Sequence, residues 1–176
     1  MYLKQVQLAL WIFSLALIGY TVQGSLKRNM ATLSDVLYAY AERVYAATWD
    51  YAGSASSVLR QTASVELPAS VLSETRHGTM LNTMAPNRQP VRLYSYGTGT
   101  TATVYAVIPS GGDWVGFGTS IPITVANRMG VKAGIVEGDQ IRSRAGGWGP
   151  IPIASLAGFV GYDGDLVLRL QTHRAP

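Results

Sequence analysis

Three groupings in this chain bring together side chains with chemical potential. Asp163-Gly164-Asp165 and Glu137-Gly138-Asp139 each set two carboxylates two residues apart, the beginning of a divalent-cation site. Such an ion takes several converging oxygens, and no third acid lies near either pair in sequence. Both therefore read as tight turns centred on glycine. Gly97-Thr98-Gly99-Thr100-Thr101-Ala102 imitates the dinucleotide fingerprint GxGxxA. That fingerprint requires a helix directly after it, whose amino end holds the pyrophosphate. The next residues here, Thr103-Val104-Tyr105-Ala106-Val107-Ile108, are a run of strand formers, so the stretch reads as a hairpin connection. The histidines are His77 and His173. A nucleophile–base pair assembled in space from a serine, His77 and an acid has only the availability of the parts behind it. There is no GxSxG elbow, no HExxH helix and no P-loop. The chain has no cysteine, which excludes a disulfide framework and a thiolate metal site. The expectation is a protein that is not an enzyme, with no catalytic residue, no cofactor and no metal.

The elements that would hold any site are dominated by one apolar run. Residues 8–22 carry no charge and no proline. The run lies at the short end of what crosses a hydrocarbon core of about 30 Å as a helix. It is apolar on all sides, whereas a soluble core helix is apolar on one stripe. Leu8, Leu10, Trp11, Ile12, Phe13, Leu15, Leu17 and Ile18 are the expected membrane-anchor residues, with membrane lipid as their partner. A removable secretory signal has a similar outline. A retained anchor is preferred because the following stretch continues in helical register, and because Trp11 and Tyr20 stand near the two ends, where interfacial aromatics belong. Lys4 on one side balances Lys27 and Arg28 on the other, so charge leaves the orientation open.

The rest of the 176 residues suffices for one domain with a core of its own. The formal charge of +4 is spread without a basic run, which argues against a nucleic-acid partner. The expected organisation is an anchor (or uncleaved signal) over 1–24, a polar hinge over 25–30, and a single extracytoplasmic α+β domain over 31–176. Residues 31–51 read as an amphipathic helix, with Leu33, Val36, Leu37, Tyr40, Val44, Ala47, Thr48 and Tyr51 at the 3, 4, 3 spacing of one buried face. Gly53 is its expected cap. Residues 54–64 hold one helical turn around Val58 and Leu59, and 69–90 read mostly as loop. Strands are expected over 91–96 and 101–108, then a short strand or loop over 114–118. A helix over 120–129 starts at Ser120 and Pro122 and stops at Gly130. One or two strands fall within 131–142, and a last strand over 166–170 comes after Asp163-Gly164. The fold class is α+β: an N-terminal transmembrane helix, then an amphipathic helix packed on a small, mainly antiparallel β-sheet.

Two resemblances arise. Ala133-Gly134-Ile135-Val136-Glu137-Gly138-Asp139-Gln140-Ile141 is similar to the PDZ segment A-G-L-x-x-G-D-x-I, a final strand with Arg169 lies at about the matching distance, and Gly116-Phe117-Gly118 is similar to a carboxylate-binding loop. This covers about half of a PDZ domain. Over most of its length the chain resembles the PilM family of small inner-membrane proteins of type IVb (thin) pilus systems, often encoded on conjugative plasmids. The matching features are the apolar run 8–22, the Tyr-containing helix 36–51, Leu67-Pro68, Val104-Tyr105, the short helix 121–129, the segment 134–143, the prolines of 150–152 and the closing Asp163-Gly164-Asp165-Leu166-Val167. The stretch 74–90 departs from the pattern. The resemblance implies a single-pass protein of the bacterial inner membrane with the bulk of the chain in the periplasm. It would act without catalysis in thin-pilus assembly, through contacts with other pilus-assembly or secretion proteins. A minor pilin or pseudopilin and a PDZ-like peptide-binding adaptor are the alternatives. For the minor pilin, Gly24 is followed by Ser25-Leu26-Lys27-Arg28 instead of an unbroken apolar helix.

Tyr38, Tyr45 and Trp49 fall beside the main stripe of the 31–51 helix, at spacings of seven and four. Their two readings are a wider buried face and a contact for another assembly protein, since large amphipathic aromatics dominate interface hot spots.

Overall fold

The computed structural model describes residues 14, 29, 31–79, 81, 89–110 and 120–173. The chain divides into two compact units, Met1–Leu33 and Ser34–Pro176. In the first unit the described residues, Ser14, Asn29 and 31–33, are helical. The anchor residues Leu8, Leu10, Trp11, Ile12, Phe13, Leu15, Leu17 and Ile18 lie outside the described residues, and among those described no helix is long and apolar enough to cross a membrane.

The second unit is α+β, built on a curled, seven-stranded antiparallel sheet. Its strands are β1 (Val65–Leu67), β2 (Arg92–Gly97), β3 (Thr101–Ile108), β4 (Ala133–Glu137), β5 (Gln140–Ser143), β6 (Ile151–Pro152) and β7 (Leu166–His173), in the order β1-β2-β3-β7-β4-β5-β6. The helices are α1 (34–54), α2 (Ser56–Gln61), α3 (Ser70–Ser73) and α4 (Ser120–Met129), with a 3-10 turn over Gly130–Lys132. The hairpin expected from 91–108 is β2–β3. The strand after Asp163-Gly164 is β7, and the 131–142 stretch is the β4–β5 hairpin, turned at Gly138 with φ 59°. The edge strands β1 and β6 and the short helix α3, inside the stretch expected to be loop, enlarge the sheet and its cover beyond the expectation. Strands of two or three residues are too short to show a period of two.

β3 and β7 form the centre. They pair along their whole length, from Thr101 opposite His173 to Ile108 opposite Leu166. Both strands are buried on both faces, which accounts for the unbroken apolar run Val104–Ile108 in place of an alternating one. On one face Ala102, Val104 and Leu170 meet Ala52 at the end of α1 and Leu59 of α2. α4 covers the β4 and β7 part of the sheet and buries Ile121, Val125, Ala126 and Met129 at helical spacing. On the other face Tyr94, Tyr105, Val107, Val136, Ile141 and Val167 gather around Phe159. Phe159 reaches them from the 153–162 segment, with ring centroids 4.9 Å from Tyr94 and 6.1 Å from Tyr105. That segment is tied down by bonds to its carbonyls: the Tyr96 hydroxyl and Ser64 Oγ both donate to Ala157 O, at 3.2 and 2.9 Å.

The buried line of α1 is Leu37, Ala41, Val44, Ala47, Thr48 and Ala52. Leu37, Val44, Ala47 and Thr48 of the expected stripe lie on it, and the Thr48 hydroxyl is satisfied by Val44 O at 2.7 Å. Val36 is not on it; it is 48% exposed, and Tyr40 and Tyr51 are half-buried. Alanines 41 and 52 take their places, because small residues let a helix approach a neighbour closely.

One carboxylate joins three strands. Asp165, 2% exposed, accepts the Ser110 N–H on Oδ1 at 3.1 Å, and the Tyr162 N–H and Arg92 Nη2 on Oδ2 at 2.9 and 3.4 Å. Ser110 Oγ donates to Gly164 O at 3.1 Å and accepts from Leu166 N at 2.8 Å. Removing a carboxylate from such a place strands buried donors and a half-buried guanidinium. Asp165→Ala is expected to lower the unfolding free energy by about 3 kcal/mol, read as a lower urea midpoint with an unchanged denaturant slope.

Candidate functional site

Along one flank of α1, acids alternate with aromatics: Asp35, Tyr38, Glu42, Tyr45 and Trp49. Steps of three and four place them on one line of the helix surface. The end of α4 and the 3-10 turn lie against the first four. Arg128 Nη1 meets Asp35 Oδ1 at 2.5 Å, and its Cζ stands 4.1 Å from the Tyr38 ring centre. Lys132 Nζ meets both Glu42 oxygens at 3.3 Å and stands 4.9 Å from the Tyr45 ring centre. A cation held over an aromatic face while paired to a carboxylate is attracted by both. Burial raises the Tyr45 phenol above its ordinary value, with Lys132 pulling the other way. Tyr38 and Tyr45 are thus half-buried beneath this chain's own cations, and Tyr45 also packs against the Ala52, Leu59, Ala102 cluster. Trp49, one turn further, is 61% exposed. Of the three aromatics singled out by spacing, the structure covers two and leaves the indole open. The acids at 35 and 42, seven apart like the tyrosines, are the sequence signal for the cations that cover them.

The other chemical groupings resolve into structural roles. His77 docks on α1: its N–H and its Nδ1 both approach Asp50 Oδ2, at 3.0 and 2.6 Å. Asp50 also borders an open cleft of about 440 Å³, lined with it by Tyr51, Ser54, Glu74, Thr75 and Arg76 among others. The Ser54 hydroxyl donates to Tyr51 O and the Thr75 hydroxyl to Leu72 O, so neither is directed at the imidazole. Asp163 Oδ1 accepts the Gly138 N–H at 3.0 Å, which links the two glycine turns to each other. Glu137 bridges Arg142 and Arg144. Among the described residues no three potential metal-ligating side chains converge. The 97–102 stretch is a hairpin that receives the end of α2: Gly97 N–H and Gly99 N–H donate to Thr62 O and Arg60 O, both at 2.8 Å. A Cβ at Gly97 would lie 2.3 Å from Leu59 O. Of the PDZ-like features, 133–141 is the β4–β5 hairpin, and 116–118 lies outside the described residues. His173 enters the sheet as the backbone partner of Thr101.

No family model, no curated protein and no solved structure matches this chain.

The Asp50 contact makes a pH prediction. The His77 backbone N–H, then its side chain, hold the Asp50 carboxyl below the ordinary carboxylate range. A depressed acid adds stability that is present above the unfolded-state pKa and is lost as the pH falls through the folded-state value. Wild type is therefore expected to melt above Asp50→Asn at neutral pH, with the gap closing as the pH drops below about 3.9. Melting temperatures of both proteins across the acid range check this; a gap that persists at the acid end would contradict it.

Proposed function

We propose that this chain is a non-enzymatic, membrane-anchored component of a type IV (thin) pilus apparatus, working through contacts with other assembly proteins. The observation that carries the reading is the exposed indole of Trp49 on a flank where Tyr38 and Tyr45 are already covered. Indole is the side chain most enriched at binding hot spots, because it brings a large rigid apolar area and one donor. The apolar run 8–22 precedes the helix that bears it, and fits a transmembrane helix that would hold the domain at the bacterial inner membrane, on its periplasmic side. The order of motifs that resembles the PilM family supports the same reading.

A photo-reactive residue at position 49 should crosslink to another protein of the pilus system in cells that assemble it. Trp49→Ala should weaken that association by about 2 kcal/mol or more while leaving the melting temperature within the scatter of Val58→Ala, an exposed control on α2. Unchanged association in the folded Trp49→Ala protein would remove Trp49 as the contact. Leu15→Arg should raise the insertion free energy by about 2.5–3.5 kcal/mol and shift protein from the carbonate-resistant pellet to the wash. Equal retention of both proteins would count against the anchor.

A further inference from the structure

Arg169 stands on β7 directly opposite Tyr105 of β3, on the face of the sheet that carries Phe159. Its guanidinium is held from two sides. The Trp148 ring centre lies 5.4 Å from Cζ, and Nη2 donates to Gln171 Oε1 at 3.3 Å. Nε is enclosed and has no acceptor. Arg92, Arg128, Lys132, Arg142 and Arg144 each meet a carboxylate. Among the described residues no carboxylate comes within ion-pair distance of Arg169. A half-buried guanidinium, fixed in position and lacking a counter-charge, is the unfavourable half of an ion pair. Its Nη2 edge is open to solvent at the exposed Gln171.

We propose that Arg169 is an anion-binding subsite that takes the carboxylate of a ligand carrying an apolar group beside its charge. The open Nη2 edge can donate a charge-assisted bond to a carboxylate, and a side chain already immobilised loses little freedom on binding. One cation calls for one negative charge, where a phosphate dianion draws several cations. The apolar group is set by Trp148, whose half-buried ring lies beside the guanidinium with surface left for an aliphatic group to cover.

The test uses the full chain in uncharged detergent micelles and tracks the Arg169 Nε–H and Trp148 indole N–H resonances. N-acetyl-leucine is titrated against N-acetyl-leucinamide, its uncharged counterpart, and against inorganic phosphate. The acid should shift both resonances saturably and bind about tenfold more tightly than the amide, the discrimination of one charge-assisted pair. Arg169→Lys should weaken the acid, and Arg169→Gln should abolish the Trp148 response. Equal response to acid and amide, no saturation, tighter binding of phosphate than of the acid, or a saturable Trp148 shift that survives Arg169→Gln would each overturn the proposal. The wild-type comparison of acid with amide decides it even if Arg169→Gln does not fold.

Discussion

The buried carboxylate of Asp165 decides where the last strand begins. β3 ends at Ile108 and β7 starts at Leu166, its partner, and between them stand Ser110 and Asp165, bonded to each other's segments. A carboxylate that accepts two main-chain N–H groups has one position, not a range. It therefore fixes the register of a strand that arrives from the far end of the chain and is inserted between β3 and β4. A slip of one residue would move every side chain of β7 to the opposite face. Val167 would leave Phe159 for the helices, and Arg169 would turn into the helix-facing core beside Ala102 and Val104.

A central strand pair buried on both faces needs two covers, and they are made differently. The helix side is covered by regular elements, with Ala52 close to the sheet and α4 on β4 and β7. The other side is covered by an irregular segment that inserts Phe159 and is held by tyrosine and serine hydroxyls donating to its carbonyls. Irregular backbone over a core requires such donors, because its polar groups have no ladder to join. This requirement explains the abundance of tyrosine in β2. Tyr94 and Tyr96 each supply a ring to the core and a hydroxyl to the cover, and burial raises both phenols, Tyr96 to about 12.

The centre of this arrangement is legible in the sequence and its margins are much less so. β2, β3, β7, α4 and the β4–β5 hairpin announce themselves because β-branched and aromatic runs end in Gly or Asp turns, and because Ser120, Pro122 and Gly130 mark a helix. The seat of α1 is rotated from the one that its hydrophobic spacing indicates. Hydrophobicity gives weight to Val36 and Tyr40, whereas close packing selects Ala41 and Ala52. β1 and β6 exist only as partners of longer strands and have no periodicity of their own. Nothing local indicates that α2 would end on the 97–102 hairpin, or that His77 would meet an aspartate 27 residues away. The glycine at 97 carries part of that information, because helix carbonyls sit where its Cβ would be. Apart from Ser14, the apolar run 8–22 falls outside the described residues, as does the segment 116–118.

The charges of α1 show why Trp49 differs from its neighbours. All three acids of that helix are engaged: Asp35 by Arg128, Glu42 by Lys132 and Asp50 by His77. Each pair is at least partly exposed, so each is worth little by itself. Their joint effect is directional, since Arg128 of α4, Lys132 of the 3-10 turn and His77 of the 74–79 turn hold α1 in one rotation against the rest of its unit. That rotation presents Ala41, Val44 and Ala52 inward, and slides Tyr38 and Tyr45 beneath the same cations. A long cationic side chain can screen a ring while keeping its charge in water, so these two tyrosines are satisfied within the chain. Trp49 lies between Glu42 and Asp50 on the helix, past the reach of Lys132 and outside the grip of His77. Its exposure is a consequence of how the neighbouring charges are paired, and an apolar group left open by an otherwise closed network is a surface suited to another molecule.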